Sequence, residues 1–168
     1  MDIIQTRNSQ FTLRRGTADD AALVVAYMRK LGDYQKMLDK ITATEADIRR
    51  LLSEKKGEVI FGEYAGATVG FIYFYQNSSA FTGQTGLYID GFFVDQQEQS
   101  KGLGKIMLAY ISKLALERSC QRLEWGCLDW NEPAIDFYRN LGAYSVDEMT
   151  IYRFGPQQLE QHASFFSN

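Results

Sequence analysis

Histidine and cysteine are scarce in this chain of 168 residues, which contains one histidine and two cysteines. Two cysteines, Cys120 and Cys127, cannot hold a fold of this size together through disulfides, so reduced thiols in a cytoplasm are the simpler interpretation. Together with His162 they are too few for a cysteine–histidine metal cluster, and we predict no metal. Any chemistry therefore has to rely on other side chains and on the main chain.

A basic surplus and a long hydrophobic run are also missing. The 18 Lys and Arg residues against 21 Asp and Glu residues give a net charge of −3 at pH 7, which disfavours a nucleic-acid-binding protein. No segment is apolar enough for a signal peptide or a membrane span. Apolar residues make up 45% of the chain and charged residues 23%, which is typical of a folded domain. We predict a soluble, cytoplasmic protein that binds neither nucleic acid nor membranes.

Hydrophobic periodicity and capping signals predict alternating strands and helices. Strands are predicted at residues 11–15, 59–64, 68–75, 87–94 and 122–128, with a loop at 76–86. A final strand or pair of strands is predicted at residues 144–154. Helices are predicted after the caps Thr17, Thr44 and Asn131, at residues 104–118 and after Pro156. Gly91 interrupts the strand over 87–94, which indicates a β-bulge or the close approach of another group. We expect one mixed α/β domain over residues 1–168, with residues 1–10 loosely ordered.

The stretch "DQQEQSKGLGK", residues 95–105, joins a predicted strand to a predicted helix. Backbone N–H groups at a helix start lack internal partners and carry the positive end of the helix dipole. Gly102 and Gly104 have no Cβ atom that would keep a large anion away from these donors. A Walker loop needs glycine at position 99, where this chain has Gln99. A dinucleotide fingerprint needs a small residue at position 107, where it has Met107. The spacing therefore excludes both motifs. On the glycines alone, an anion site and a flexible connection that binds nothing are equally supported.

Longer motifs resemble a known family of acetyltransferases. Gln99-x-x-Gly102-x-Gly104 at a strand-to-helix junction resembles motif A of the GNAT superfamily of N-acetyltransferases, in which the pyrophosphate of acetyl-CoA lies at the helix start. The segment "LDWNEPAIDFYRNLGA", residues 128–143, resembles the diamine (spermidine/spermine) and thialysine N-acetyltransferase branch, as do "DYQKMLDKITATEADI" and "LYIDGFFV". The resemblance covers most of the chain. It implies a GNAT-type single domain, with a mixed, mostly antiparallel sheet that is flanked by helices and has splayed central strands.

The resemblance also implies acetyl-CoA as co-substrate and a homodimer as the assembly. The residues that match the acetyl-CoA-binding segments are Phe92, Phe93, Val94, Gln99, Ser100, Lys101, Gly102, Leu103, Gly104, Lys105, Asn131, Pro133 and Ala134. The first three would act through their main chain alone, because a strand N–H can stabilise the charge that develops on the thioester oxygen. Their side chains are read as part of the core.

Two residues are candidates for the proton transfers that acyl transfer to an amine requires. Asp90 precedes Gly91 in a predicted strand, where aspartate is disfavoured, so it either holds an ammonium and relays its proton or is an edge-strand surface carboxylate. Tyr138 shares a helix face with Leu141 near Ile135, which is typical of a core tyrosine. The resemblance instead implies that Tyr138 is the general acid that protonates the leaving thiolate.

The acceptor implied by the resemblance is a primary aliphatic amine, either a small diamine or a lysine-like amine. Asp90, Phe81 and Glu148 are the candidate substrate-binding residues. The polyamine branch usually has Glu-Asp where this chain has Asp90-Gly91, so we expect a smaller amine to be preferred over spermine. Two alternatives stay open: an acyl-CoA-binding module without strong catalysis, and a protein-lysine acetyltransferase with the same site behind a wider groove.

Overall fold

The computed structural model describes residues 2–167, which divide after Leu128 into two compact units. The first unit contains the strands β1 Ile3–Gln5, β2 Phe11–Arg15, β3 Glu58–Tyr64, β4 Ala67–Ser79, β5 Gln84–Val94 and β6 Arg122–Trp125. Its helices are α1 Ala21–Tyr34, α2 Glu45–Ser53 and α3 Leu103–Glu117. The second unit contains α4 Glu132–Asn140 and α5 Pro156–Ala163. None of the helices in residues 2–167 combines the length and hydropathy that a membrane crossing requires. The single domain over residues 1–168 stays a prediction.

The six strands form one sheet in chain order, from β1 to β6. The first five strands pair antiparallel with their neighbours, whereas β6 runs parallel to β5. A parallel neighbour needs a long crossover, and α3 supplies it. The predicted mixed, mostly antiparallel sheet flanked by helices is confirmed.

Apolar side chains cover both faces of the sheet. One buried cluster joins α3 to the sheet, and a second joins α1 and α2 to its other side. The alternation of strand side chains separates the two: in β4, Phe71 and Tyr73 face α1 and α2, whereas Ile72 and Phe74 face α3. Residues 87–94 of β5 therefore lie between two packed layers.

The helices begin at the predicted caps. Thr17 and Asp20 form a capping box ahead of α1, and Thr44 and Asp47 form another at α2. The Asn131 side chain accepts a hydrogen bond from a backbone N–H in the first turn of α4. Each such cap typically stabilises a helix by about 1 kcal/mol, which explains why these boundaries could be predicted from the sequence.

The predicted loop at residues 76–86 is wrong. β4 continues to Ser79 and β5 starts at Gln84, so only residues 80–83 connect the two strands. Residues 77–79 pair in register with residues 84–86 across this hairpin. Cross-strand pairing can hold polar residues of low strand propensity in a strand, because the neighbouring strand satisfies their main-chain groups.

The predicted strand at residues 144–154 is also wrong, because this segment has no regular secondary structure. An isolated strand is not stable without a paired neighbour, and residues 129–167 contain two helices and no strand. In the same unit, the ring of His162 stacks on Phe154 at 4.5 Å. At the other end of the chain, residues 3–5 form β1 and pair with β2, so part of the segment expected to be loose is ordered.

Candidate active site

The last residues of β5 form an open edge of the sheet, because the neighbouring strand β6 is shorter. β6 pairs with β5 only from Gly86 to Ile89. Beyond that point, no strand among residues 2–167 pairs with that side of β5, although β4 still pairs with the other side as far as Val94. The predicted splayed central strands therefore correspond to β5 and β6.

The register of the sheet determines which N–H groups face this open edge. The Asp95 N–H donates to the Val69 carbonyl on the β4 side at 2.8 Å. Because main-chain groups alternate along a strand, the Phe93 N–H also faces β4, whereas those of Phe92 and Val94 face the open edge. The Val94 carbonyl accepts a hydrogen bond from the Gln99 side-chain amide at 2.8 Å, consistent with this direction.

The glycine-containing loop follows at once. Residues 96–101 form a 3-10 turn, Gly102 has φ = 75°, and α3 begins at Leu103. Leu103 is fully buried and anchors the helix start. A Cβ atom on Gly102 would have no other atom within 4 Å, so it would point into open space. The N–H groups of residues 103–105 precede the first bond of the helix, which runs from Ile106 to Gly102 at 3.3 Å. These donors and this space fit an anion.

The two glycines of the loop have different structural roles. Gly102 has the left-handed conformation that other residues adopt at a cost of about 1 kcal/mol or more. A Cβ on Gly104 would lie 3.4 Å from the Phe92 ring, which is ordinary van der Waals contact. The Lys101 ammonium pairs with Glu98 and lies 4.4 Å from the centre of the Tyr64 ring. The exposed donors of this loop are thus mostly main-chain groups.

A polar network ties the start of the loop to α1. The Tyr27 hydroxyl contacts the Asp95 Oδ2 at 3.3 Å and the Thr68 carbonyl at 3.2 Å. The Lys30 Nζ lies 3.0 Å from the Asp95 Oδ1 and 4.5 Å from the centre of the Tyr27 ring. Burial, and then the charge of Asp95, raises the pKa of Tyr27 well above its usual value. The hydroxyl stays protonated and can donate its one hydrogen to either oxygen.

Asp90 is the extra residue of a β-bulge. Tyr73 pairs with Gly91 and Phe74 pairs with Ile89, which leaves Asp90 without a cross-strand partner in β4. Its side chain is exposed to solvent, yet the surrounding protein removes enough water to raise the pKa of its carboxyl. A raised pKa makes a carboxylate a better proton acceptor near neutral pH.

Gly91 is needed for packing against α1. A Cβ atom here would lie 2.8 Å from the Met28 Sδ and 3.0 Å from the Phe71 ring. Both features predicted from this glycine, the bulge and the close approach of another group, are confirmed. The approaching group is Met28, a core side chain.

Two tyrosines beside Asp90 were missed by the sequence analysis. Tyr75 in β4 lies directly opposite Tyr88 in β5, with 5.4 Å between the ring centres. Burial and then the charges of Tyr88 and Asp90 raise the pKa of Tyr75. A Cβ on Gly126, just after β6, would lie 3.6 Å from the Tyr88 hydroxyl oxygen. The pair therefore reaches the point where β6 separates from β5.

Phe81 does not lie near Asp90 in the first unit. It is 99% exposed in the turn at the tip of the β4–β5 hairpin. Asp90 lies six positions after Gln84, the first residue of β5, which corresponds to roughly 20 Å along an extended strand. The structure of this unit thus does not bring these two candidate substrate-binding residues together.

The remaining candidates belong to the second unit. Asn131 is buried and caps α4, and Pro133 lies in the first turn. Tyr138 is partly buried, and its ring stacks on Phe137 with 5.5 Å between centres. Glu148 is exposed in an irregular segment. Tyr138 is thus neither a fully buried core residue nor a fully exposed one.

Residues 24–143 match the sequence pattern described as the "Acetyltransferase (GNAT) family". The chain belongs to this family. Its matching region includes the open edge of β5, the Gly102 loop and Tyr138. Membership confirms the resemblance to this family that the motifs indicated.

Curated relatives lie in the branch indicated by the motifs. The chain is 30% identical over 116 residues to L-ornithine N5-acetyltransferase NATA1 of Arabidopsis thaliana, covering 69% of this chain and 48% of the relative. It is 26% identical over 149 residues to thialysine N-epsilon-acetyltransferase of Bos taurus, covering 81% and 85%. Identity to the human spermidine/spermine N(1)-acetyltransferase-like protein 1 is 27%, but the match spans only 24% of that protein. The chain thus spans about half or less of two of these relatives.

Solved structures share the fold. An integron cassette protein from V. cholerae has a TM-score of 0.74 at 24% identity, covering 93% of this chain and 99% of its own. A ribosomal-protein-alanine N-acetyltransferase from Brucella melitensis has a TM-score of 0.69 at 19% identity, covering 86% and 99%. At this identity, the likeness concerns the fold alone.

Proposed function

We propose that this chain is an N-acetyltransferase that transfers the acetyl group of acetyl-CoA directly to a primary aliphatic amine. The observation that carries the proposal is the open edge of β5, from Asp90 to Val94, which leads directly into the Gly102 loop. Unpaired strand N–H groups and unpaired helix-start N–H groups follow one another along this stretch. Such a run of donors suits an extended ligand that carries an anionic group at one end.

The family's co-substrate is acetyl-CoA, and the residues present fit it. The N–H groups from Ser100 to Lys105 would bind the pyrophosphate, and the bare Cα of Gly102 would allow it to approach. The Phe92 and Val94 N–H groups would hydrogen-bond the arm and its thioester oxygen. Gln99 belongs to the loop, and its side-chain amide donates to the Val94 carbonyl in β5. This hydrogen bond supports a role for Gln99 in holding the loop against the strand.

Acetyl-CoA supplies an activated acyl group, in which a C–S bond breaks as a C–N bond to the amine forms. An alkylammonium has a pKa of about 10.4, so one proton has to leave before attack. Asp90, whose pKa is raised by burial, would accept that proton. Tyr138 would give a proton to the thiolate that leaves, and the second proton that the nitrogen loses as the amide forms would return Tyr138 to its protonated form. The Phe92 and Val94 N–H groups would stabilise the charge on the carbonyl oxygen.

The names of the relatives support the amine class. Ornithine, thialysine, spermidine and spermine each carry a primary amine at the end of a flexible aliphatic chain. The finer assignment is a small diamine or a lysine-like amine, because Gly91 stands where a second carboxylate would lie. Glu148 remains a proposed contact for the rest of the acceptor, whereas Phe81 lies too far from Asp90 for a small amine to reach both.

Thiol release from acetyl-CoA tests the function directly. We expect release with n-butylamine, 1,4-diaminobutane and L-lysine, and a higher kcat/KM for these than for spermine. Asp90→Asn should lower kcat/KM for all of them by roughly 10²-fold, the usual scale for one positioned base. Glu117→Gln, an exposed change near the end of α3, is the matched control and should leave activity unchanged.

Two results would redirect the assignment. Acetyl-CoA binding without thiol release for any amine would indicate a binding module. A much higher rate with lysine-containing peptides than with free amines would indicate a protein-lysine acetyltransferase. We further propose a cytoplasmic homodimer, and sedimentation at micromolar concentration that shows only a monomer would contradict that assembly.

A further inference from the structure

Tyr75, Tyr88 and Asp90 lie together on one face of the β4–β5 hairpin. Tyr75 and Tyr88 are paired across the two strands, and their rings are tilted by 33° with centres 5.4 Å apart. Asp90 follows Tyr88 by two residues, so the bulged strand directs it to the same neighbourhood. The two rings therefore form one aromatic surface beside a carboxylate.

This surface is accessible to solvent, and it adjoins a buried part of the same strand. Tyr75 is 37% exposed and Tyr88 is partly exposed, whereas Tyr73, two residues before Tyr75 on the same side of β4, is 7% exposed. The face of an aromatic ring attracts a cation within about 6 Å of its centre, and a carboxylate adds an ion pair. Both groups favour an organic cation over an anion or a neutral molecule.

The position that would supply a second carboxylate in β5 is packed against core side chains. Any side chain at position 91 would start 2.8 Å from the Met28 Sδ and 3.0 Å from the Phe71 ring, so both would have to shift. Glu124 lies beside Tyr88 in the neighbouring strand β6, but it is already paired with the Arg122 guanidinium at 3.5 Å. Asp90 and the two rings therefore balance a single positive charge.

We propose that Tyr75, Tyr88 and Asp90 form the site that binds the ammonium group of the acceptor, and that this site selects an aliphatic amine through one cationic end. The proposal rests on the proposed acetyltransferase function and deepens it. The rings hold the ammonium group in place. The ammonium group contacts a carboxylate oxygen of Asp90 before it loses its proton. Tyr75 and Tyr88 are thus specificity-determining residues.

Equilibrium binding of n-butylammonium to the protein–CoA complex tests the site without turnover. Tyr75→Leu should raise the amine Kd about two- to fivefold, and Tyr75→Leu with Tyr88→Leu about five- to thirtyfold. The matched variants Tyr75→Phe and Tyr88→Phe keep the rings and should stay within about twofold of the parent. Asp90→Asn should raise the Kd by about tenfold. Spermine should bind the parent less than about fivefold tighter than n-butylammonium at 0.15 M salt.

Controls separate this site from the proposed function. Acetyl-CoA affinity should be unchanged in all these variants, which also reports that they are folded. Tyr110→Leu removes a ring on the α3 side of the sheet and should leave the amine Kd unchanged. If the parent acetylates amines but the double leucine variant keeps its amine Kd, the aromatic site is wrong while the enzyme stands. An equal loss in phenylalanine and leucine variants, or spermine binding a hundredfold tighter, also overturns it. A parent that neither binds CoA nor acetylates amines contradicts the proposed function itself.

Discussion

The network between Tyr27 and Asp95 gives a quantitative prediction about how the start of the Gly102 loop is held. Tyr27 is 2% exposed, and its hydroxyl lies 3.2 Å from the Thr68 carbonyl and 3.3 Å from Asp95. Both distances exceed the usual 2.7–2.8 Å for such bonds, so the low end of the energy range for a charged partner applies. We expect Tyr27→Phe to lower the free energy of unfolding by about 1–1.5 kcal/mol, and Tm by roughly 2–6 °C.

Lys30→Met is the matched comparison, because it removes the other partner of Asp95. The Lys30 side chain is 49% exposed, so its ion pair should contribute about 0.5–1 kcal/mol at low salt. Screening should reduce this contribution in 1 M NaCl, while the effect of Tyr27→Phe should persist because the hydroxyl is buried. Urea unfolding of both variants at the two salt concentrations measures the difference. A Tyr27→Phe protein within about 0.3 kcal/mol of the parent would refute the reasoning.

The same tyrosine predicts a loss of stability at high pH. Burial and the charge of Asp95 raise the pKa of Tyr27, so the unfolded chain releases this proton first, near pH 10. The folded state then binds more protons than the unfolded state, and stability that is present below about pH 10 is lost as the pH rises further. Tyr27→Phe should flatten the alkaline part of the stability curve. An unchanged slope above pH 10 would show that the hydroxyl ionises freely in the folded protein.

Three further changes have expected outcomes. Gly102→Val should raise the KM for acetyl-CoA more than tenfold while the protein stays folded, because a side chain would enter the space left at φ = 75°; unchanged CoA binding would contradict the loop assignment. Tyr138→Phe should lower kcat by roughly 10²-fold with little change in CoA affinity, and an unchanged kcat with chemistry rate-limiting would make Tyr138 a packing residue. Burial would raise the pKa of Asp20, but the hydrogen bonds from Arg14 and the Thr17 N–H lower it. The stability that the ionised Asp20 gives to the folded protein is therefore lost as the pH falls below about 4. Asp20→Asn should make acid unfolding less steep, and identical acid curves would count against this.

Local signals predicted the parts of the fold that local interactions determine. The two capping boxes at Thr17 and Thr44 lie where the sequence indicated, and β2 has its predicted bounds. The hairpin at residues 76–86 could not be predicted in this way, because its polar residues become strand only through pairing with each other. The opposite error occurred at residues 144–154, where a strand-like pattern lies in a unit without a strand to pair with.

The candidate site likewise has parts that local signals predict and a part that depends on strand pairing. The Gly102 loop and the bulge at Asp90 could be predicted, because a glycine at a strand end and one within a strand are local signals. The Tyr75–Tyr88 pair could not be found from either strand alone, since only the register brings the two rings together. The sequence gives a partial signal for this site. Tyr73 and Tyr75 are two residues apart, as are Tyr88 and Asp90, so within each strand the two side chains share a face once the strands are known.

The space around Gly91 gives a physical reason for the difference that we propose between this acceptor site and that of the polyamine branch. In that branch, Glu-Asp usually stands where this chain has Asp90-Gly91, so two carboxylates follow each other along the strand. Here the Met28 Sδ would lie 2.8 Å from any Cβ at position 91, so helix α1 packs directly on the bare backbone. Restoring the second carboxylate would require the Met28 side chain and the Phe71 ring to shift, because a charged group cannot be buried against a thioether and an aromatic ring without a large penalty. The close packing of α1 and the single carboxylate that β5 contributes to the proposed acceptor site are therefore two consequences of the same glycine.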